Sequence, residues 1–139
     1  MGETILRMQG IQKYFPGVHA LDNAQLEVQA GEVMALVGEN GAGKSTLMKI
    51  LTGIYQKDEG TIEYFGENIE IHGPRDAQAR GISIVHQELN LMQDLTVAEN
   101  IFIGREPSKG GFLNKAKQNQ MTQELLDSLH LDISPTVKV

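Results

Sequence analysis

The string Gly38-Glu39-Asn40-Gly41-Ala42-Gly43-Lys44-Ser45-Thr46 meets the pattern G-x-x-x-x-G-K-[ST], and it limits what the surrounding chain can become. Before it lies the continuous apolar run Val33-Met34-Ala35-Leu36-Val37, as expected for a central parallel strand covered on both faces. After it Leu47, Met48, Ile50 and Leu51 recur at helical spacing until Gly53, which suits a left-handed cap after the last turn. Strand, glycine loop and helix in that order specify a phosphate-binding P-loop rather than a mere glycine-rich turn. The glycines let successive N–H groups curl inward, and the helix adds its positive N-terminal end, so anionic oxygens are the natural guest. In a nucleotide complex Lys44 would reach the β- and γ-phosphates, the Ser45 hydroxyl would take one position on Mg²⁺, and Thr46 would support the α-phosphate.

The rest of the chain is expected to build around this unit. Residues 5–8 and 24–28 read as two short strands of a small β layer, the second alternating apolar and polar. Between them, Lys13-Tyr14-Phe15-Pro16-Gly17-Val18 reads as a loop carrying two large rings. Those rings either stack on something flat or cover the edge of the core. Residues 61–64 and 69–71 are strand candidates separated by the Gly66-Glu67-Asn68 turn; Pro74 and Gly81 bracket a short helix, and residues 82–85 read as another buried strand. Beyond Gln87 the texture changes. Thr96-Val97-Ala98-Glu99 is a capping box opening a helix to about Ile103, and Lys109-Gly110-Gly111 reads as a flexible break. From Lys115 onward Met121, Leu125, Leu126 and Leu129 form one apolar stripe that asks for a packing partner. The expected organisation is a β layer plus P-loop core over residues 1–86 and the start of a helical subdomain over 87–139.

Bulk properties narrow the function. A chain of 139 residues has room for one domain, and 40 % hydrophobic with 22 % charged residues fits a globular class. A net charge of −6 without Lys/Arg clusters argues against nucleic-acid binding. With no cysteine there is neither a disulfide framework nor a thiol nucleophile. His19, His72, His86 and His130 make no metal-ligand spacing and read as structural or solvated. The start Met1-Gly2-Glu3-Thr4-Ile5-Leu6 lacks a basic region followed by an apolar stretch, so a cytoplasmic location is expected, and a membrane role would come through a partner. No D-x-x-G occurs, and Asn114-Lys115-Ala116-Lys117 lacks the final Asp of a guanine-specificity element, so GTP is disfavoured. The loop by itself supplies binding; hydrolysis also needs a group that positions water and one that stabilises the transferred phosphoryl charge.

Taken together, residues 13–28, 38–53 and 82–104 resemble the start of an ABC-transporter ATPase domain. Phe15-Pro16-Gly17-Val18, the P-loop string and His86-Gln87-Glu88-Leu89-Asn90-Leu91 are similar to the ATPases of sugar importers of the ribose and galactose type. The resemblance implies an α/β P-loop NTPase with a parallel core sheet, a small N-terminal antiparallel β layer and an incomplete helical subdomain. It implies ATP and Mg²⁺ as cofactors, with Phe15 stacking on adenine and Tyr14 as the neighbouring candidate. Gly38, Glu39, Asn40, Gly41, Ala42, Gly43, Lys44, Ser45 and Thr46 would hold phosphate, Ser45 and Gln87 would serve Mg²⁺, and Lys44 and Gln87 would act in catalysis. On residues alone, Gln87 would be an ordinary polar side chain at a strand end.

The resemblance also implies partners: a membrane permease meeting the segment after Gln87, a second ATPase domain, and indirectly a sugar-binding protein, all at the cytoplasmic face of the cell membrane. An L-S-G-G-Q-type motif, a strand ending in Asp-Glu and a switch histidine do not occur in the 139 residues. The sequence therefore reads as the front part of the first of two tandem domains, inactive or nearly so by itself, with unpaired backbone groups along the P-loop strand. The competing expectation is a non-catalytic docking module for a permease or an ATPase partner.

Overall fold

The computed structural model describes residues 2–86 and 90–139. They form two compact units, Met1–Val85 and His86–Val139.

The first unit is built on a four-stranded antiparallel sheet in the order β2-β1-β3-β4, comprising β1 (Thr4–Phe15), β2 (Val18–Gln29), β3 (Glu59–Tyr64) and β4 (Glu67–Asn68). β1 and β2 are each 12 residues long, far longer than their alternation suggests. Irregular register explains the difference. Leu6 and Met8 face the core at period two; the ladder then slips between Met8 and Ile11 at left-handed Gly10, so Ile11 returns to the same face three residues later. Across the ribbon Leu21 and Ala24 are likewise separated by three, with Asn23 at positive φ between them. The bulges hide the strands from a period-two reading. They also turn the expected loop at 13–18 into a hairpin tip, in which Phe15 pairs with Val18 across Pro16-Gly17.

On one face of this sheet lies α1 (Lys44–Leu51), which buries Leu47 and Ile50 among Leu6, Met8, Ile11, Leu21 and Ile62. Each such side chain contributes about 1.5–3 kcal/mol on leaving water. Ile69 and Ile71 are buried in the same core outside any regular strand, with Ile69 N–H donating to the Ile62 carbonyl at 2.8 Å. The turn between β3 and β4 is Phe65-Gly66, one residue earlier than expected. α2 (Pro74–Ala79) begins on proline as expected and buries Ala77.

Two expected strands differ. Residues 33–37 and 82–85 carry no regular structure, and Val33, Val37 and Val85 are almost fully exposed. A parallel strand needs neighbours whose N–H and C=O groups match its own, and among the described residues the available strands already pair with each other. Apolar character marks these segments as suited to burial without supplying the partner. No parallel ladder occurs among the described residues, in keeping with the expectation of unpaired groups along residues 33–37.

The second unit contains α3 (Val97–Phe102), the hairpin of β5 (Ser108–Lys109) and β6 (Phe112–Leu113), and α4 (Lys115–Ser128). Thr96 and Glu99 form the expected capping box, each side chain bonding the other's backbone N–H. Glu99 also meets Lys115 at 3.2 Å, and the Thr96 amide followed by this ammonium holds its carboxyl below the usual range. The remaining free donors at the start of α3 go to the chain's last residues, Val97 N–H to the Val137 carbonyl and Ala98 N–H to that of Pro135, both at 2.9 Å. Gly110-Gly111 is the turn of the β5–β6 hairpin rather than a break. α4 also turns differently from its apolar stripe. Its buried face is Gln118, Thr122 and Leu126, while Met121, Leu125 and Leu129 are exposed. The Gln118 amide donates to the Ala98 carbonyl at 3.0 Å, and Thr122 returns a bond to the Gln118 carbonyl, so hydrogen bonding sets the rotation that hydrophobicity alone misassigns. Among the described residues no helix is long and apolar enough to cross a membrane.

Gly53, just past α1, has φ of 74°, and a Cβ there would lie 2.4 Å from the Gly73 carbonyl carbon. Gly66 has φ of 78° but open space around it. Gly66→Ala is expected to cost about 1 kcal/mol through conformation alone. Gly53→Ala should cost about 3 kcal/mol, because backbone must also move. Urea unfolding midpoints of the two variants measure this; equal losses would contradict the packing at Gly53.

Candidate functional site

The P-loop is irregular chain from Gly38 to Ala42, closed by one turn in which Ala42 N–H donates to the Glu39 carbonyl at 3.1 Å. Gly41 and Gly43 stand at φ of 89° and 87°. Gly43 is the N-cap of α1, and no side chain caps the helix there. A Cβ on Gly43 would lie 2.5 Å from Leu21 Cδ2 and 2.9 Å from the Ala20 carbonyl oxygen, so glycine is required both by conformation and by contact with β2.

The first helical bond runs from Leu47 N–H to the Gly43 carbonyl at 2.9 Å. The N–H groups of Gly43, Lys44, Ser45 and Thr46 therefore have no protein acceptor among the described residues. Lys44 folds back over the loop, donating to the Gly38 carbonyl at 2.6 Å and the Glu39 carbonyl at 2.8 Å. Four amide donors without an acceptor and an ammonium held only by carbonyls thus lie within four consecutive residues, and among the described residues no carboxylate meets them. Such a donor set fits a polyphosphate, whose oxygens would displace the two carbonyls from Lys44. Glu39, Asn40, Gly41, Ala42 and Ser45 are exposed, and Lys44 and Thr46 half-buried.

Phe15 and Tyr14 lie at the β1–β2 hairpin tip, and β2 runs from that tip to Ala20 and Leu21 against Gly43. The two rings are placed differently. Tyr14 is half exposed and stacks on His19 with centroids 4.3 Å apart and planes inclined by 14°. Phe15 is half-buried, in a T-shaped contact with Tyr55 at 5.2 Å, with the Lys13 ammonium 5.4 Å from its centroid. Asp58 fastens the tip, accepting from Tyr14 N–H at 2.7 Å and from Lys13 Nζ at 3.1 Å. The Tyr14 amide first, then the Lys13 ammonium, hold its carboxyl below the ordinary aspartate value. Sequence reading did not single out Tyr55 or Asp58. Asp58 lies 44 residues from Tyr14 in a polar stretch, and only folding brings them together.

Ser45 is the described member of the expected Mg²⁺ pair; Gln87, with Glu88 and Leu89, lies outside the described residues. No group of three or more His, Cys, Asp or Glu able to hold a metal occurs among the described residues.

The ABC transporter family model matches residues 21–138. The galactose/methyl galactoside import ATP-binding protein MglA of Escherichia coli is 51 % identical over 138 residues, covering 99 % of this chain and 27 % of that protein. A putative ribose/galactose/methyl galactoside import ATP-binding protein of Burkholderia cenocepacia is 52 % identical over 139 residues, again 99 % of this chain and 27 % of its own length. The chain thus spans about a quarter of the length of these curated relatives. Among solved structures, a nucleotide-free ATP-binding cassette from an ABC transporter superposes with a TM-score of 0.81 at 30 % identity, covering 97 % of this chain and 57 % of that one. The ADP conformation of such a cassette gives 0.78 at 29 % identity, with the same coverage. These likenesses bear out the expected α/β P-loop class.

Because the Asp58 carboxyl is depressed in the folded chain, its contribution to stability is complete above the unfolded value of about 3.9 and is lost as pH falls through the folded value. The stability difference between the natural chain and Asp58→Asn should be constant from about pH 7 to 5 and shrink below about pH 4. Urea midpoints across that range check it, and a difference that widens on acidification would contradict the hydrogen-bonded carboxylate.

Proposed function

This chain belongs to the ABC transporter family, and we propose that it is the ATP-binding front part of the first of two tandem ATPase domains in a sugar importer. The observation that carries the proposal is the set of unpaired donors at Gly43, Lys44, Ser45 and Thr46 beside a Lys44 ammonium resting on loop carbonyls. Two relatives about half identical to it, both described as import ATP-binding proteins for galactose-type sugars, support the sugar class.

In this reading Gly38 through Thr46 cradle the phosphates, Lys44 reaches the β- and γ-oxygens, and Ser45 and Gln87 serve Mg²⁺, which supplies charge neutralisation when bound. Phe15 stacks on adenine at the hairpin tip. Residues 1–86 are the β layer and P-loop core, and 87–139 the start of the helical subdomain. The segment after Gln87 meets the permease at the cytoplasmic face of the membrane, and a second ATPase domain and a sugar-binding protein complete the importer. The unpaired run at 33–37 then belongs to a parallel core sheet of the longer protein. ATP hydrolysis coupled to ribose- or galactose-type uptake is a property of that protein, and these 139 residues bind nucleotide without turning it over.

Titration of the chain with MgATP, followed by amide chemical shifts, tests this. Lys44→Ala should weaken binding at least about tenfold, since a charge-assisted contact to phosphate is lost. Phosphate release should stay at background. Steady release by the pure chain, abolished by Lys44→Ala, would contradict the separation of binding from catalysis.

A further inference from the structure

The Phe15 ring sits where the sheet is weakest. β3 pairs with β1 only as far as Gln12 opposite Glu59, so residues 13–15 extend beyond the sheet as a two-stranded ribbon with β2. Such a ribbon is marginally stable alone, and its tip would swing without another attachment.

Residues 54–58 supply that attachment, running from the end of α1 to the hairpin tip. At the α1 end, the N–H groups of Ile54 and Tyr55 both donate to the Lys49 carbonyl, at 2.8 and 3.0 Å, and the Lys49 ammonium lies 5.2 Å from the Tyr55 centroid. At the other end Asp58 N–H donates to the Gln12 carbonyl at 3.0 Å, and its carboxylate takes the Tyr14 amide and the Lys13 ammonium. Between these points the Tyr55 and Phe15 rings pack in a T-shaped contact. The same helix begins at the P-loop. α1 is therefore a rigid spacer with the phosphate loop at one end and this strap at the other.

We propose that Asp58 is a positioning residue for nucleobase recognition: with Tyr55 it locks the hairpin tip to the end of α1 and so fixes the place of the Phe15 ring relative to the phosphate loop. The proposal rests on the reading of Phe15 as the adenine-stacking ring. It goes beyond that reading by assigning the base contact to a strap that touches neither base nor phosphate. Lys13 has a second part, since one ammonium bridges the Asp58 carboxylate and the Phe15 face and so couples the ring to the clamp.

The test compares ATP with inorganic tripolyphosphate as ligands of the full chain, because tripolyphosphate engages the loop without a base. Phe15→Ala should weaken ATP about tenfold and leave tripolyphosphate unchanged, as loss of a base stack does. Asp58→Ala should weaken ATP about fivefold with tripolyphosphate again unchanged, and Asp58→Asn, which keeps an acceptor for Tyr14 N–H, should recover part of that loss. In the Phe15→Ala background, Asp58→Ala should cost nothing further. If Asp58→Ala does not fold, Lys13→Met removes the ammonium bond alone and should show the same ATP-selective loss. Equal losses for both ligands, or an undiminished Asp58 effect without the Phe15 ring, would overturn the positioning role. If Phe15→Ala lowers ATP selectivity but no clamp variant does, the positioning role alone falls. An unchanged selectivity in Phe15→Ala would remove the stacking assignment and this proposal with it.

Discussion

The contact on which the site depends is the seating of Gly43 against β2. With Leu21 Cδ2 and the Ala20 carbonyl standing where a side chain would begin, and with φ of 87°, only glycine lets the loop turn into α1 at this point. That one residue sets three things together. It starts the helix with N–H groups that have no acceptor among the described residues, it curls the preceding loop so that Lys44 can cover it, and it presses the loop onto the strand that leads to the aromatic tip. The phosphate site and the β layer are thus one packed body, with Leu21 buried in the core below and the P-loop exposed above.

Burial and hydrogen bonding divide the work in this first unit. Leu6, Met8, Ile11, Leu47, Ile50 and Ile62 join the sheet to α1, while polar contacts fasten the periphery. Arg7 bridges Glu27 and Glu63 across three strands at 3.0 and 3.5 Å, but these groups are partly exposed and add little. The Asp58 contacts differ in kind, because they include a backbone amide and restrain a ribbon that the core does not reach. A protein that must hold a ring and a loop at fixed separation gains more from such a restraint than from another surface ion pair.

Local signals in the sequence specify the structure where local chemistry decides the outcome. The glycine loop, the α1 helix, proline at the start of α2 and the Thr96–Glu99 capping box all follow from contacts within a few residues. They do not where distant partners decide. The bulges at Gly10 and near Asn23 break the alternation that marks a strand, so two 12-residue strands looked like two short ones. Of the apolar stripe Met121, Leu125, Leu126 and Leu129 on α4 only Leu126 is buried, and it shares that face with Gln118 and Thr122, where the Gln118 amide serves the Ala98 carbonyl. The runs at 33–37 and 82–85 carry the composition of buried strands, but composition does not say what covers them. The glycine loop and the start of α1 are legible in the sequence; the clamp through Tyr55 and Asp58, spanning 44 residues, is not.

The phosphate site stands or falls with whether the open amide donors of the α1 start receive the phosphates of ATP. Amide proton–nitrogen spectra recorded during addition of MgATP test it most directly. The Gly43, Lys44, Ser45 and Thr46 resonances should move first and farthest, and should move the same way with inorganic tripolyphosphate. Shifts concentrated elsewhere, with these four amides unmoved at saturation, would contradict it.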